Sequence, residues 1–234
     1  LSFLMALLDG SETITLVPKA NATGLFFFGV TLADENGPAT GDASGAVGVW
    51  TRAAVDDLPV ILNLDGDNRN TVPGFGAQRL DLGGDAQITD VEIAQGTQSS
   101  FNGQSLRIQI DSNLVPAEDL LSFASDEFVS RTGDAVGSHV TVNGVTIGVL
   151  AKAISVGTSI EVTLNELATI ERVQTLVQSA TYLNLAGTEA TNSTRAIDFW
   201  LSNAAGTAGG KSRILLRVQT PDNNATLASA PALT

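Results

Sequence analysis

The sequence contains no cysteine, a single histidine (His139) and few aromatic residues, which make up 5% of its 234 residues. The absence of cysteine excludes disulfides, thiolate metal sites and a cysteine nucleophile. One histidine excludes histidine-rich metal sites and leaves a single candidate for any catalytic triad that needs this residue. His139 begins an amphipathic segment, and the spacing suggests no serine or aspartate partner. We therefore interpret it as a surface position on a strand.

Basic residues and long apolar runs are also scarce. Twelve Lys and Arg stand against 25 Asp and Glu, a formal net charge of −13. Binding to phosphates needs clustered Lys and Arg, so the composition predicts no nucleic-acid partner. The apolar run at residues 1–8 is too short to span a bilayer and lacks the basic region of a signal peptide. Because the sequence begins at Leu1, we interpret it as an internal part of a longer protein.

Hydrophobic residues form 43% of the chain, which is typical of a globular protein with a core. Short apolar runs alternate with clusters of Gly, Asn, Asp and Pro, a pattern that predicts an all-β fold with frequent turns. The predicted strands lie at residues 25–32, 47–55, 59–64, 78–82, 86–93, 104–110, 120–124, 159–164, 195–202 and 212–218.

A β-hairpin is predicted at residues 137–149, where valines alternate with polar residues on both sides of Asn143-Gly144. Both positions of a type I′ turn need a positive φ, and the pair Asn-Gly adopts this conformation readily. The pattern therefore predicts two antiparallel strands joined by a two-residue turn.

Residues 168–180 break the β pattern and predict a short helix, with an irregular strand as the alternative. Thr169 is a candidate N-cap, and Glu171 lies in the first turn, where the helix dipole favours an acid. Apolar residues recur along one helical stripe. They are Ile170, Val173, Val177 and Ala180.

The two ends of the chain are similar to each other. Residues 28–34 align with residues 197–203, and each segment is followed by a Gly-rich loop and a strand. This internal similarity predicts the C-terminal part of one repeat at residues 1–57 and a complete repeat at residues 58–220. Residues 221–234 are then a tail or linker.

The junction Val55-Asp56-Asp57-Leu58-Pro59-Val60 resembles the V-N-D-A-P-V linker of bacterial cadherin-like repeats, which occur in tandem in large surface and secreted adhesins. The C-terminal end departs from this pattern, because QTPDNNAT follows Val218 and Asn203 stands where the family often has Asp. Other segments resemble the family's motifs in their usual order. They are residues 13–24, 62–68, 88–92, 143–148, 172–184 and 194–203.

The resemblance implies Ig-like, cadherin-like β-sandwich repeats with one short helix in the second unit. It also implies a non-catalytic structural or adhesive module of a large extracellular or cell-surface bacterial protein. The expected partners are neighbouring repeats of the same chain, other copies of the protein, and surface glycans or proteins.

The same resemblance implies Ca²⁺ at the junction between repeats, where three acidic segments converge. Ca²⁺ binds six to eight oxygen ligands, mainly carboxylates and carbonyls. A further candidate site is the LDGDN turn, although its spacing is not that of an EF-hand. For each acid the alternative is a solvated turn. The candidate ligands are Asp34, Glu35, Asp56, Asp57, Asp90 and Glu92 at the junction, and Asp65 and Asp67 in the turn.

Three other functions are compatible with parts of the sequence. Paired acids could cleave glycosides, but adjacent acids in loops usually bind solvent or metal, so we predict that the protein is not an enzyme. Trp50 and Trp200 could lie on a carbohydrate-binding face. The incomplete first repeat could accept a strand from another chain in an extracellular filament. The candidate acid pairs are Asp90 with Glu92, Asp126 with Glu127, and Asp56 with Asp57.

Overall fold

The structure is a computed structural model that describes residues 57–74, 76–96 and 98–220, together with four short strands before them. The chain divides into two compact units, Leu1–Asp56 and Asp57–Thr234.

The described part of the first unit consists of two antiparallel strand pairs. Strand β1 (Leu4–Met5) pairs with β2 (Leu16–Val17), and β3 (Gly24–Phe26) pairs with β4 (Trp50–Arg52). The strands predicted at residues 25–32 and 47–55 overlap β3 and β4. The remainder of both predicted strands lies outside the described residues.

The second unit is all-β with two helices, as the alternation of apolar runs and turn residues predicted. Helix α1 spans Val91–Ala94 and α2 spans Ile170–Gln178, and a 3₁₀ turn covers Gly187–Glu189. The strands are β5 (Val60–Leu62), β6 (Arg69–Thr71), β7 (Gln78–Arg79), β8 (Gln87–Thr89), β9 (Ser105–Ser112), β10 (Asp119–Phe123), β11 (Val129–Arg131), β12 (His139–Val142), β13 (Val145–Leu150), β14 (Ile160–Leu164), β15 (Ala180–Asn184), β16 (Ser193–Ser202) and β17 (Ser212–Val218).

The strands form a large sheet, a small sheet and one additional pair. The large sheet has the order β11-β12-β13-β14-β9-β16-β17-β6, and the small sheet has the order β10-β15-β7. Strand β5 pairs with β8. Every pairing is antiparallel except that of β6 with β17.

A single hydrophobic core fills the space between the large and small sheets. Ile108 and Phe199 contribute from the large sheet, and Leu121 contributes from the small sheet. The three strands of the small sheet are too few to cover the inner face of the eight-stranded sheet. Helix α2 covers part of the remaining face by packing against β8 and β12. Its buried residues are Val173, Leu176 and Val177.

Two local predictions are confirmed, except that Ala180, the last residue of the predicted helical stripe, begins β15 instead of lying in the helix. The strands of the predicted hairpin are β12 and β13, and the turn residues Asn143 and Gly144 have φ values of 50° and 76°. The predicted helix is α2, with Thr169 in the extended conformation of an N-cap and Glu171 in the first turn. The cap is backbone only, because the Thr169 side chain makes no capping hydrogen bond.

The strand predicted at residues 86–93 is wrong in its second half. Strand β8 ends at Thr89, and α1 begins at Val91. The Asp90 carboxylate accepts a hydrogen bond from the N–H of Ile93 (2.9 Å), the geometry of a helix N-cap. This local bond competes with a sheet ladder and ends the strand.

Strand β6, the second strand of the second unit, runs beside the last strand, β17, in the same direction. Strand β6 pairs in parallel with β17, and the N–H of Gln219 continues the pairing by donating to Thr71 O (3.0 Å). At the other end, Ser212 Oγ donates to Ile61 O (2.6 Å). The chain therefore enters the unit at one pole and leaves it at the opposite pole. We call these the N-terminal pole and the C-terminal pole.

An arginine from the large sheet reaches each edge strand of the small sheet. Arg131 on β11 donates to Phe123 O on β10 (2.9 Å) and to Ser122 Oγ (3.1 Å). Arg69 on β6 donates to Arg79 O on β7. Edge carbonyls are otherwise available to a strand from another chain, so these contacts shield both edges of the small sheet.

A buried ion pair joins the two sheets near the C-terminal pole. Arg195 on β16 and Asp119 on β10 are both fully buried, and Arg195 Nη2 lies 3.1 Å from Asp119 Oδ1. The Tyr182 hydroxyl on β15 donates to the same carboxylate (2.6 Å). Burial, together with this hydrogen bond, raises the pKa of Tyr182 well above its ordinary value, so the hydroxyl keeps its proton.

We expect Asp119→Asn to lower the free energy of unfolding by about 3–5 kcal/mol, because removing one partner leaves a buried charge uncompensated. Urea denaturation of the full chain measures the change. The matched control is Asp134→Asn, which removes the exposed partner of Arg131 and should cost less than about 1 kcal/mol. Equal effects of the two substitutions would show that the buried pair is not a special determinant of stability.

Candidate metal centre

The LDGDN turn lies between β5 and β6, where the chain passes from one sheet to another. Strand β5 pairs with β8, whereas β6 pairs with β17, and residues 63–68 connect them. Asn63 and Gly66 have φ values of 59° and 95°, so two left-handed residues fold this loop. The loop brings its acids close to the start of β17 on one side and to the loop after β7 on the other.

Two side chains of this loop extend the hydrogen bonding of β17. Asp65 Oδ1 accepts from the N–H of Arg213, and Asn68 Oδ1 accepts from the N–H of Leu215 (2.8 Å). Strand β6 begins to pair only at Leu216. The two side chains therefore take the place of strand acceptors along the first half of β17.

Three aspartates from two loops form an acidic cluster. One carboxylate oxygen from each of Asp67, Asp81 and Asp85 lies within 4.8 Å of the others. Asp81 is buried, Asp67 is half-buried and Asp85 is exposed. We call these three residues the aspartate triad.

The backbone holds two members of the triad in place. Asp81 accepts hydrogen bonds from the N–H groups of Gly84 (2.9 Å), Asp85 (3.3 Å) and Ala86 (3.1 Å). Asp67 Oδ2 accepts from the N–H of Leu82 (2.9 Å). Gly84 has a φ of 63°, which allows the chain to fold back around the Asp81 carboxylate.

The donor set of the triad suits a hard cation. All three side chains supply oxygen, and Ca²⁺ prefers oxygen ligands in flexible loops. A carboxylate oxygen that accepts one backbone hydrogen bond keeps a second lone pair for a metal. Three carboxylates provide part of the six to eight ligands that Ca²⁺ takes, so carbonyls and water would complete the set.

The structure brings some of the predicted junction acids together. The N–H of Asp57 donates to Glu92 Oε1 (3.1 Å), which places the linker beside α1. Asp90 is buried and serves as the N-cap of the same helix. The predicted ligands Asp34, Glu35 and Asp56 lie outside the described residues.

The two predicted ligands of the LDGDN turn separate in their roles. Asp67 belongs to the aspartate triad, whereas Asp65 accepts from the backbone of Arg213. Asp81 and Asp85 were not among the candidate metal ligands predicted from the sequence. The segment that could have indicated them is Asp81-Leu-Gly-Gly-Asp85, in which two acids flank a pair of glycines.

Asp126, one of the candidates for acid catalysis, has structural partners. Asp126 accepts from the N–H groups of Val129 and Phe128 and pairs with Arg79 at 2.5 Å. The hydrogen bond from Val129, followed by those from Phe128 and Arg79, holds the pKa of Asp126 below its ordinary value. Such a carboxyl is a poor proton donor near neutral pH. His139 is exposed on β12, as predicted.

Trp200 lies on the outer face of the large sheet between two cations. Arg107 on β9 and Lys211, just before β17, lie 5.6 Å and 4.9 Å from the ring centroid. The residue is 8% exposed. A sugar could stack on this ring only after displacing these side chains, so the geometry disfavours Trp200 as a glycan platform. The Trp50 side chain lies outside the described residues.

No family model, curated protein or solved structure matches the chain. Among the residues that the structure describes, no helix has both the length and the apolar character required to cross a membrane.

We expect Asp65→Ala to accelerate amide hydrogen exchange at Arg213, because its N–H loses a charged acceptor. Hydrogen bonds to charged groups contribute about 1.5–3 kcal/mol, which corresponds to at least about tenfold faster exchange. NMR exchange on the full chain measures this effect. The N–H of Leu215 provides the internal control, because its acceptor is Asn68. Unchanged exchange at Arg213 would show that Asp65 does not support β17.

Proposed function

We propose that the chain is a non-catalytic structural module of a large extracellular or cell-surface bacterial protein, and that it transmits tension between the segments on either side of it. The observation that carries this proposal is the parallel pairing of β6, near the start of the second unit, with its last strand, β17. This pairing puts the points where the chain enters and leaves at opposite poles. The surface location and the adhesive context rest on the linker resemblance of residues 55–60.

The strand geometry makes the unit resistant to pulling along its long axis. A pull applied at the two poles slides β6 and β17 past each other, so their hydrogen bonds are loaded together instead of one after another. The register pairs Leu216 with Arg69 and Val218 with Thr71. Asp65 and Asn68 add side-chain contacts to the same strand. Together these bonds cover most of the length of β17.

Calcium is the second part of the proposal. The aspartate triad lies in the loop that changes sheets and in the loop after β7, beside the strands that would carry tension. Repulsion among three carboxylates loosens these loops, and a divalent cation relieves it. Support for Ca²⁺ comes from the oxygen-only donor set and from the backbone hydrogen bonds that hold Asp67 and Asp81. A second calcium site at the junction of Asp57 and Glu92 remains a prediction.

The mechanical role is tested by single-molecule pulling on the full chain. The absence of cysteine lets a pair of introduced cysteines carry the handles. Leu58→Cys with Gln219→Cys applies force between the two poles. We expect this pair to unfold at a clearly higher force than a pair that peels one strand from its neighbour, because shear loads several hydrogen bonds at once.

The matched control is Thr194→Cys with Gln219→Cys. These positions lie at the same pole on the antiparallel strands β16 and β17, so force opens the pairing one hydrogen bond at a time. Equal unfolding forces for the two attachment pairs would overturn the proposal of a tension-resistant module.

Calcium binding is tested by thermal melting of the full chain. Extracellular calcium modules have dissociation constants of about 10⁻⁴–10⁻³ M. At 10 mM calcium such a site contributes about 1.4–2.7 kcal/mol, which raises the melting temperature by about 3–10 °C. Asp85→Asn should reduce this rise, and the residue is exposed, so the substitution leaves the apo fold intact.

Asp134→Asn is the control, because it removes an exposed carboxylate that lies outside the triad. Equimolar magnesium controls for divalent charge. A calcium shift that is the same in wild type and Asp85→Asn would exclude the triad and leave only the predicted junction site. A melting temperature that does not change when calcium is added would exclude both sites.

A further inference from the structure

A cavity of about 320 Å³ opens at the side of the sandwich between three segments of the second unit. Its walls are the loop after β7, the loop between β10 and β11, and the last turns of α2. Pockets of this size accommodate small ligands, and the useful ones combine an apolar surface with a few convergent polar groups. This cavity has both features.

The apolar surface comes from Phe128, which is 53% exposed, and from Leu82, which is 51% exposed; both line the cavity. Among the aromatic residues whose burial the structure describes, Phe101, Phe123, Phe199, Tyr182 and Trp200 are buried. The backbone N–H and the backbone carbonyl of Phe128 are both hydrogen-bonded. Its N–H donates to Asp126 Oδ1 (2.9 Å), and its carbonyl accepts from the N–H of Asn143 (2.8 Å). The ring is therefore held at the surface on an ordered backbone.

The polar groups belong to Arg79, Asp126 and Thr175. Arg79 uses two of its five N–H donors, one toward Gln178 O (3.0 Å) and one toward Asp126 Oδ2. Asp126 Oδ2 keeps a lone pair beyond this bond, and Thr175 Oγ1 donates to Glu171 O (2.9 Å) and can still accept. Donors and acceptors thus face the same space as the aromatic ring.

We propose that this cavity binds one sugar residue of a neutral glycan. A pyranose ring has an apolar face of C–H groups that packs on an aromatic ring and a rim of hydroxyls that both donate and accept. Phe128 matches the face, and Arg79, Asp126 and Thr175 match the rim. The Arg79–Asp126 pair balances its own charge, and the buried carboxylate of Asp81, which also lines the cavity, is held by three backbone N–H groups. Together these features favour a neutral ligand over an anionic one.

This site is separate from both tryptophans and from the paired strands β6 and β17, and it shares one residue, Asp81, with the aspartate triad. It makes the module adhesive through its lateral surface, whereas tension passes through its poles. The two roles can therefore be tested independently, and failure of one leaves the other standing.

Saturation-transfer NMR on the full chain tests the proposal. The probes are the methyl glycosides of glucose, galactose, mannose, fucose, xylose and N-acetylglucosamine, with glucuronic and galacturonic acid as charged comparisons. We expect at least one neutral sugar to receive saturation. Phe128→Ala should lower its affinity by about five- to thirtyfold, because aromatic stacking and the associated burial contribute roughly 1–2 kcal/mol. Phe128→Tyr should retain binding.

Val136→Ala is the matched control, since Val136 is more exposed than Phe128 and lies outside the cavity lining. It should leave the saturation signal unchanged. Melting temperatures of all variants verify that each one folds. The proposal is overturned if no neutral sugar in the panel is saturated, if only the charged sugars are, or if Phe128→Ala binds as well as the wild type.

Discussion

The ion pair between Arg195 and Asp119 connects the two sheets where water cannot reach it. Arg195 projects from the large sheet, and Asp119 begins an edge strand of the small one. Tyr182 donates to the same carboxylate, and Glu118 lies 3.5 Å from the guanidinium. Burial raises the pKa of Glu118, but hydrogen bonds from Thr191 and Asn184 and the charge of Arg195 together lower it below its ordinary value. Charges removed from water need this degree of compensation.

Acidic residues serve as acceptors for the main chain throughout the second unit. The chain has 25 acidic and 12 basic residues, and part of this acidic excess therefore has a structural role. Each such carboxylate closes a loop or completes a strand at a position where regular secondary structure leaves an N–H without a strand partner. A cation at the aspartate triad would share oxygens that already have this task. The acids that accept backbone N–H groups are Asp65, Asp67, Asp81, Asp90, Glu92, Glu118, Asp119 and Asp126.

The proposed mechanical role and the proposed sugar binding use different parts of this unit. In the proposed mechanical role, tension acts along β6 and β17, whose shared direction places chain entry and exit at opposite poles. The proposed sugar cavity opens on the side of the sandwich, beside Phe128. Arg131 and Arg69 cover the edges of the small sheet, which disfavours joining by strand exchange at these edges. Contacts of this unit with other molecules are therefore expected to use side chains instead of the main-chain edges of the small sheet.

The sequence by itself determined the all-β class, the Asn143-Gly144 hairpin and helix α2. The signals for these features are the alternation of apolar and polar residues, the turn residues and the helical spacing of apolar residues, and each depends only on residues close together in the chain. The sequence did not reveal β6 or β11, which are three residues long and exist only through their partners across the sheet. The aspartate triad was equally hidden. Asp67 and Asp81 are 14 positions apart, and the change of sheet at residues 63–68 alone brings their loops together. Tertiary structure decided which acids meet, because repulsion and hydrogen bonding depend on distances in space.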